Sequence, residues 1–207
     1  MEVEVFQPKP MPPGGSKGAV IVLHGAGGLL TDGPEMRRWA RKISGHGWTA
    51  FLPHYFNRTG TFIAGGRDFD LKFDDWESAV SDVVRYVRAR PDLAGKPVVL
   101  LGYSLGAFLS LSEANNSRQI AGVVEIAGGI PAQDVGRVGK LPPMVLVHGQ
   151  QDKTVPFSQA LALEQILVKK RIPHASLFFP TEGHVLSHGA REQAMETTVQ
   201  FLNSIRR

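Results

Sequence analysis

The chain has 207 residues, 43% hydrophobic and 20% charged, the make-up of one globular domain over residues 1–207 and not of a disordered chain. It contains no cysteine, which excludes a disulfide framework, a thiolate nucleophile and a cysteine-held metal. The net charge of +4 comes from basic residues clustered in helical segments (Arg37, Arg38, Arg41 and Lys42; Arg85, Arg88 and Arg90; Lys169, Lys170 and Arg171), with no nucleic-acid-binding motif beside them. Such clusters read as solvated helix faces, and no nucleic-acid partner is expected.

Acids, not Lys or Arg, follow Met1, and no run reaches the roughly 18 apolar residues of a spanning helix. A cytoplasmic protein with no membrane partner is expected. Val3–Phe6 is a short strand, and Ala19–Leu23 is apolar throughout, as in a strand buried on both faces. Pro34 opens a helix over Glu35–Gly45. Thr49–Leu52 is a strand stopped by Pro53. The apolar residues of Phe73–Arg88 recur at helical spacing. Pro97–Leu101 is a strand and Ser104–Ala114 a helix. Ile120–Ile126 and Met144–His148 are strands, Phe157–Lys170 a helix, Ala175–Phe179 the last strand and Ala190–Ile205 the closing helix. This alternation predicts an α/β fold: a mostly parallel sheet of about seven strands with helices on both faces. His54–Lys72 and Gly128–Leu141 are irregular and follow strands, on the sheet edge where such folds bind ligands.

Gly102-Tyr103-Ser104-Leu105-Gly106 lies between an apolar strand and a helix start. That context fits the nucleophile elbow of an α/β-hydrolase, with Ser104 as the nucleophile. A serine needs a base and the base an orienting acid, in the chain order Ser, acid, His. Asp152 stands in the loop after the Met144–His148 strand. His184 stands in the loop after the last strand, with Gly183 making room for it; His188 is a rival nearer the next helix. His24-Gly25-Ala26-Gly27-Gly28 follows the first buried strand, where one oxyanion amide belongs. Ala26 and Leu105 are the expected donors, with Gly27 as the alternative to Ala26 and itself a candidate substrate-binding residue. His148 reads as a packed residue, and His24 as a brace for its loop. No ligand spacing calls for a metal, and no cofactor is expected. In the His54–Lys72 loop, the aromatics Tyr55, Phe56, Phe62 and Phe69 offer an apolar wall, with Tyr55 singled out for the substrate, and Arg58 and Arg67 offer partners for a substrate carboxylate.

These motifs (His24-Gly25, the Ser104 pentapeptide, His148-Gly149-x-x-Asp152 with Val155-Pro156, and Gly183-His184) resemble the dienelactone hydrolase and carboxylesterase branch of the α/β-hydrolases over nearly the whole chain. The short length and the lack of a large insertion after Ile126 suggest a minimal or absent cap. Dienelactone hydrolases proper are similar in layout but use cysteine; here Ser104 takes that position. The resemblance therefore implies a serine esterase acting on a small-molecule carboxylic ester through an acyl-enzyme. The same triad serves thioesterases and peptidases, and a hydrolase fold can also act as a non-catalytic binding protein.

Overall fold

A computed structural model describes residues 1–205. It contains β1 (Val3–Phe6), β2 (Ala19–Leu23), α1 (Gly28–Thr31), α2 (Gly33–Gly45), β3 (Thr49–Pro53), α3 (Asp68–Arg88) and β4 (Val98–Tyr103). There follow α4 (Leu105–Asn116), β5 (Gly122–Ile126), β6 (Met144–Gly149), α5 (Ser158–Lys170), β7 (His174–Phe179) and α6 (His188–Ser204). The seven strands form one sheet in the order β1-β3-β2-β4-β5-β6-β7. β1 pairs antiparallel with β3, and every other pairing is parallel. This is the α/β-hydrolase fold.

The central strands are apolar on both sides because both sides are covered. Ile21, Leu23, Leu100 and Val123 face one core, completed by Trp76, Val80, Val83 and Val87 of α3, Leu105 and Leu109 of α4, and Leu163 and Leu167 of α5. Val20, Val22, Leu101 and Val124 face the other, completed by Met36, Trp39 and Ile43 of α2 and Ala194, Met195 and Leu202 of α6. Each helix follows its pattern. In α2, Pro34 sits in the first turn, Glu35 meets the positive end of the helix dipole and Lys42 the negative end. α6 is capped by Ser187, whose hydroxyl accepts from the Ala190 amide.

Two elements depart from the sequence-based expectation. α3 begins at Asp68, not Phe73. Its first turn carries Asp68 and Asp70, which suit a helix N-terminus but break the apolar stripe. α1 is a single turn whose Leu30 is 72% exposed, so no buried face announces it. The segment after β5 holds only a one-turn 3₁₀ helix at Ala132–Asp134, so no cap is inserted there. Among the described residues, no helix is long and apolar enough to cross a membrane.

The strand order reverses between β2 and β4, which lie side by side although β3 separates them in the chain. The chain leaves β2 for α2 on one face and leaves β4 for α4 on the other. Such a switch point opens a crevice at the strands' carboxyl ends. The expected oxyanion loop and the expected nucleophile flank it.

Candidate active site

Ser104 closes β4 with φ 53° and ψ −120°, a left-handed backbone for a residue with a β-carbon. Such a conformation costs about 1–3 kcal/mol and must be imposed by its surroundings. The flanking glycines make it possible. A β-carbon on Gly102 would collide with the Gly106 carbonyl, and one on Gly106 with the carbonyls of Leu23 and His24. The Ser104 amide donates to Ile126 O at 2.8 Å, and Ser104 O accepts from the Ala107 amide at 2.8 Å. The serine is thereby held at the N-terminus of α4, where the helix dipole favours negative charge.

The acid and histidine loops are tied together by main-chain bonds. The Gln150 amide donates to Phe179 O and the Gln151 amide to Glu182 O, each at 2.9 Å. Asp152 is buried. Its Oδ1 accepts from the Thr154 and Val155 amides at 2.8 and 2.9 Å. Its Oδ2 lies 2.7 Å from His184 Nδ1, and His184 Nε2 lies 2.9 Å from Ser104 Oγ. One hydrogen-bonded line thus runs from carboxylate to imidazole to hydroxyl. His188 stands exposed at the start of α6, outside it. His148 is fully buried, and its Nε2 donates to Val155 O at 2.9 Å. Burial lowers its pKa, so it flanks Asp152 as a neutral ring.

The loop after β2 is braced from below. His24 is fully buried and stacks on Tyr55 with ring centroids 4.0 Å apart. Burial pushes its imidazole down to about 4, so it is neutral. Tyr55 Oη donates to His24 O at 2.7 Å. Tyr55 is 0% exposed and supports the loop from inside the core, so the expected substrate wall at this residue is corrected. Gly27 is also structural: a β-carbon there would meet Asp32 Oδ1 and Thr31 Oγ1. Among the described residues, the Ala26 and Leu105 amides have no hydrogen-bond acceptor, and both residues line the cleft that contains Ser104. The Ala64 amide donates to Ala26 O at 2.8 Å and ties the 54–72 loop to this turn.

The cleft has a volume of about 830 Å³. Ala64, Phe69 and Phe73 form one wall, and Phe108, Pro131 and Val155 the other. Its charged residues are Asp70 and Asp74, both exposed, and no Lys or Arg lines it. The expectation for Arg58 and Arg67 is therefore corrected. Arg58 pairs with Asp82 at 2.7 Å in a separate depression beside Met1 and Tyr86. Arg67 is exposed at the start of α3, outside the cleft lining.

Two carboxylates near the site have no counterpart among the sequence-based candidates. Asp32 Oδ2 is buried, and burial raises the pKa of the carboxyl against the hydrogen bonds from the Gly25 and Gly27 amides that lower it. Glu125 is fully buried on β5, paired in register with Gly102. Burial raises its pKa from 4.5 to about 8, against a hydrogen bond from the Gly128 backbone that lowers it. The signal for Glu125 is visible in retrospect: one carboxylate inside an otherwise apolar strand.

Glu125 links pH to stability. Folded Glu125 keeps a proton that the unfolded chain releases above its ordinary value of 4.5. Its favourable contribution is complete below that value and is lost as pH rises toward about 8. Glu125→Gln removes this loss. Urea unfolding should give equal stabilities near pH 4, and a gain of about 4–5 kcal/mol for the variant near pH 8.5. Parallel curves at both pH values would show that Glu125 is ionised in the folded protein.

The family model of the dienelactone hydrolase family matches residues 2–204. The chain belongs to the dienelactone hydrolase family. Among solved structures, a dienelactone hydrolase-like promiscuous phosphotriesterase, P91, from metagenomic libraries superimposes with a TM-score of 0.81 at 16% identity, covering 98% of this chain and 92% of its own. Esterase 2 of Thermogutta terrifontis, phosphonylated by cyclosarin, gives 0.76 at 18% identity, with 98% and 88% covered. A phospholipase/carboxylesterase from Dyadobacter fermentans gives 0.72 at 22% identity, with 95% of each chain covered. At these identities the likeness is one of fold. In the dienelactone hydrolase layout of this chain, a serine occupies the elbow.

Proposed function

We propose that this member of the dienelactone hydrolase family is a serine hydrolase that cleaves small-molecule carboxylic esters through an acyl-enzyme. The observation that carries the reading is the unbroken line from Asp152 through His184 to Ser104, at 2.7 and 2.9 Å. Ser104 Oγ attacks the ester carbon as its proton passes to His184 Nε2. The carbonyl electrons move onto oxygen, which the Ala26 and Leu105 amides receive. As the intermediate collapses, the bond to the alcohol oxygen breaks and Nε2 returns the proton to it. Water then repeats the sequence on the acyl-enzyme, releasing the acid and restoring Ser104. Asp152 fixes the imidazole tautomer and stabilises the imidazolium.

The apolar walls and the Asp70–Asp74 pair favour an uncharged acyl group over an anionic one. Residues 1–207 act as one catalytic domain, placed in the cytoplasm. A fluorophosphonate probe should label the protein, and a panel of matched ester, thioester and amide substrates should show the ester turned over fastest. A protein that takes no label and turns over none of the three is a binding protein, not a hydrolase. A thioester or amide optimum would keep the triad and reject the ester.

A further inference from the structure

A second cavity, of about 330 Å³, lies across the elbow from the main cleft. Met36, Trp39, Tyr103, Ile126, Val185 and Leu186 give it apolar walls, with Asp32, Glu35 and Arg191 among its polar residues. It is built from α2, the ends of β4 and β5, and the loop that follows His184.

Three contacts connect it to the reaction centre. The Tyr103 ring packs on the His184 ring with centroids 5.3 Å apart. Val185 follows His184 directly. At Gly25, a β-carbon would stand 2.8 Å from Asp32 Oδ2 and 3.2 Å from Ser104 Cβ, so this glycine lets the carboxylate and the serine share one small space. One polar atom of the cavity residues, Arg191 Nε, is buried without a hydrogen-bond partner. Val185, at its mouth, is 71% exposed.

The chemistry divides the substrate between the two cavities. His184 returns its proton from Nε2 to the departing oxygen, so the alcohol half must stand on the His184 side of Ser104. Ala26 and Leu105, whose amides are the proposed oxyanion donors, line the main cleft with Ser104, so the carbonyl oxygen and acyl chain belong there. We propose that the cavity bounded by Trp39, Tyr103 and Val185 seats the leaving alcohol, and that this alcohol is an uncharged aryl or branched-alkyl group. Rings and branched chains match its walls, and two acids, Asp32 and Glu35, against the one cation Arg191 disfavour an alcohol that carries a carboxylate. The assignment rests on the ester-hydrolase reading and adds to it the class of the leaving group.

Val185→Trp narrows the mouth from a position exposed enough to accept the larger side chain. The kcat/KM ratio of 1-naphthyl acetate to methyl acetate should fall tenfold or more in this variant. The ratio of 1-naphthyl butyrate to 1-naphthyl acetate should move less than twofold. Calorimetry reads the same pocket without turnover: 1-naphthol should bind Ser104→Ala protein, and adding Val185→Trp should weaken that binding tenfold or more. Ester turnover with an unchanged naphthyl-to-methyl ratio, or no binding of 1-naphthol, overturns the pocket assignment and leaves the ester hydrolase standing. Absence of any ester turnover overturns both.

Discussion

Ser104→Ala should lower kcat/KM toward any ester substrate by roughly 10⁴- to 10⁶-fold and leave the fold intact. The chemical part follows from the proposed mechanism: without Oγ, His184 has no proton to take and no covalent intermediate forms. What remains is water attack assisted by the oxyanion amides and by binding. The structural part follows from the backbone. Alanine keeps the β-carbon, so the strain at φ 53° stays and stability should shift by less than about 1 kcal/mol. Ser104→Gly tests that clause. It abolishes activity equally but releases the strain, and should stabilise the protein by about 1 kcal/mol in urea unfolding. Ester turnover by Ser104→Ala within tenfold of the parent would sink the nucleophile assignment.

The legible parts of this protein are those in which sequence-local physics decides the outcome. Val20–Leu23 and Val98–Leu101 are apolar throughout because helices cover both faces of the sheet, and that pattern needs no tertiary knowledge. Ser104 was legible because its constraint is also local: Gly102 and Gly106 are forced by backbone contacts within the turn and with β2. Asp152 and His184 followed from chain order, and the structure brings both to Ser104. Arg58 was misread because its partner, Asp82, lies 24 residues further on, one face of α3 away from any local signal. Tyr55 was misread for a similar reason: its place beneath His24 is a stacking contact across 31 residues. Asp32 precedes Gly33-Pro34 and has no local signal of a place at the site. Only the assembled fold places it beside Ser104 and beneath Gly25.

Asp152→Asn should reduce kcat by roughly 10⁴-fold although the substitution is nearly isosteric. Asp152 divides its two oxygens between different tasks. Oδ1 accepts from two main-chain amides, Thr154 and Val155, and Oδ2 accepts from His184 Nδ1. An asparagine side chain has one oxygen and one NH₂ group. Its oxygen must face Thr154 and Val155, because turning NH₂ toward two amide donors would leave all three groups unpaired in a buried place. The NH₂ group then faces His184 and donates to Nδ1. A ring that accepts at Nδ1 carries its proton on Nε2, the atom that takes the proton from Ser104 in the proposed mechanism. The base is occupied in the resting enzyme, while the elbow, the oxyanion amides and both cavities are unchanged. The variant should therefore keep its substrate KM within a few fold and its thermal midpoint within a few degrees, with the loss confined to kcat. A kcat within tenfold of the parent would mean that Asp152 does not set the tautomer of His184.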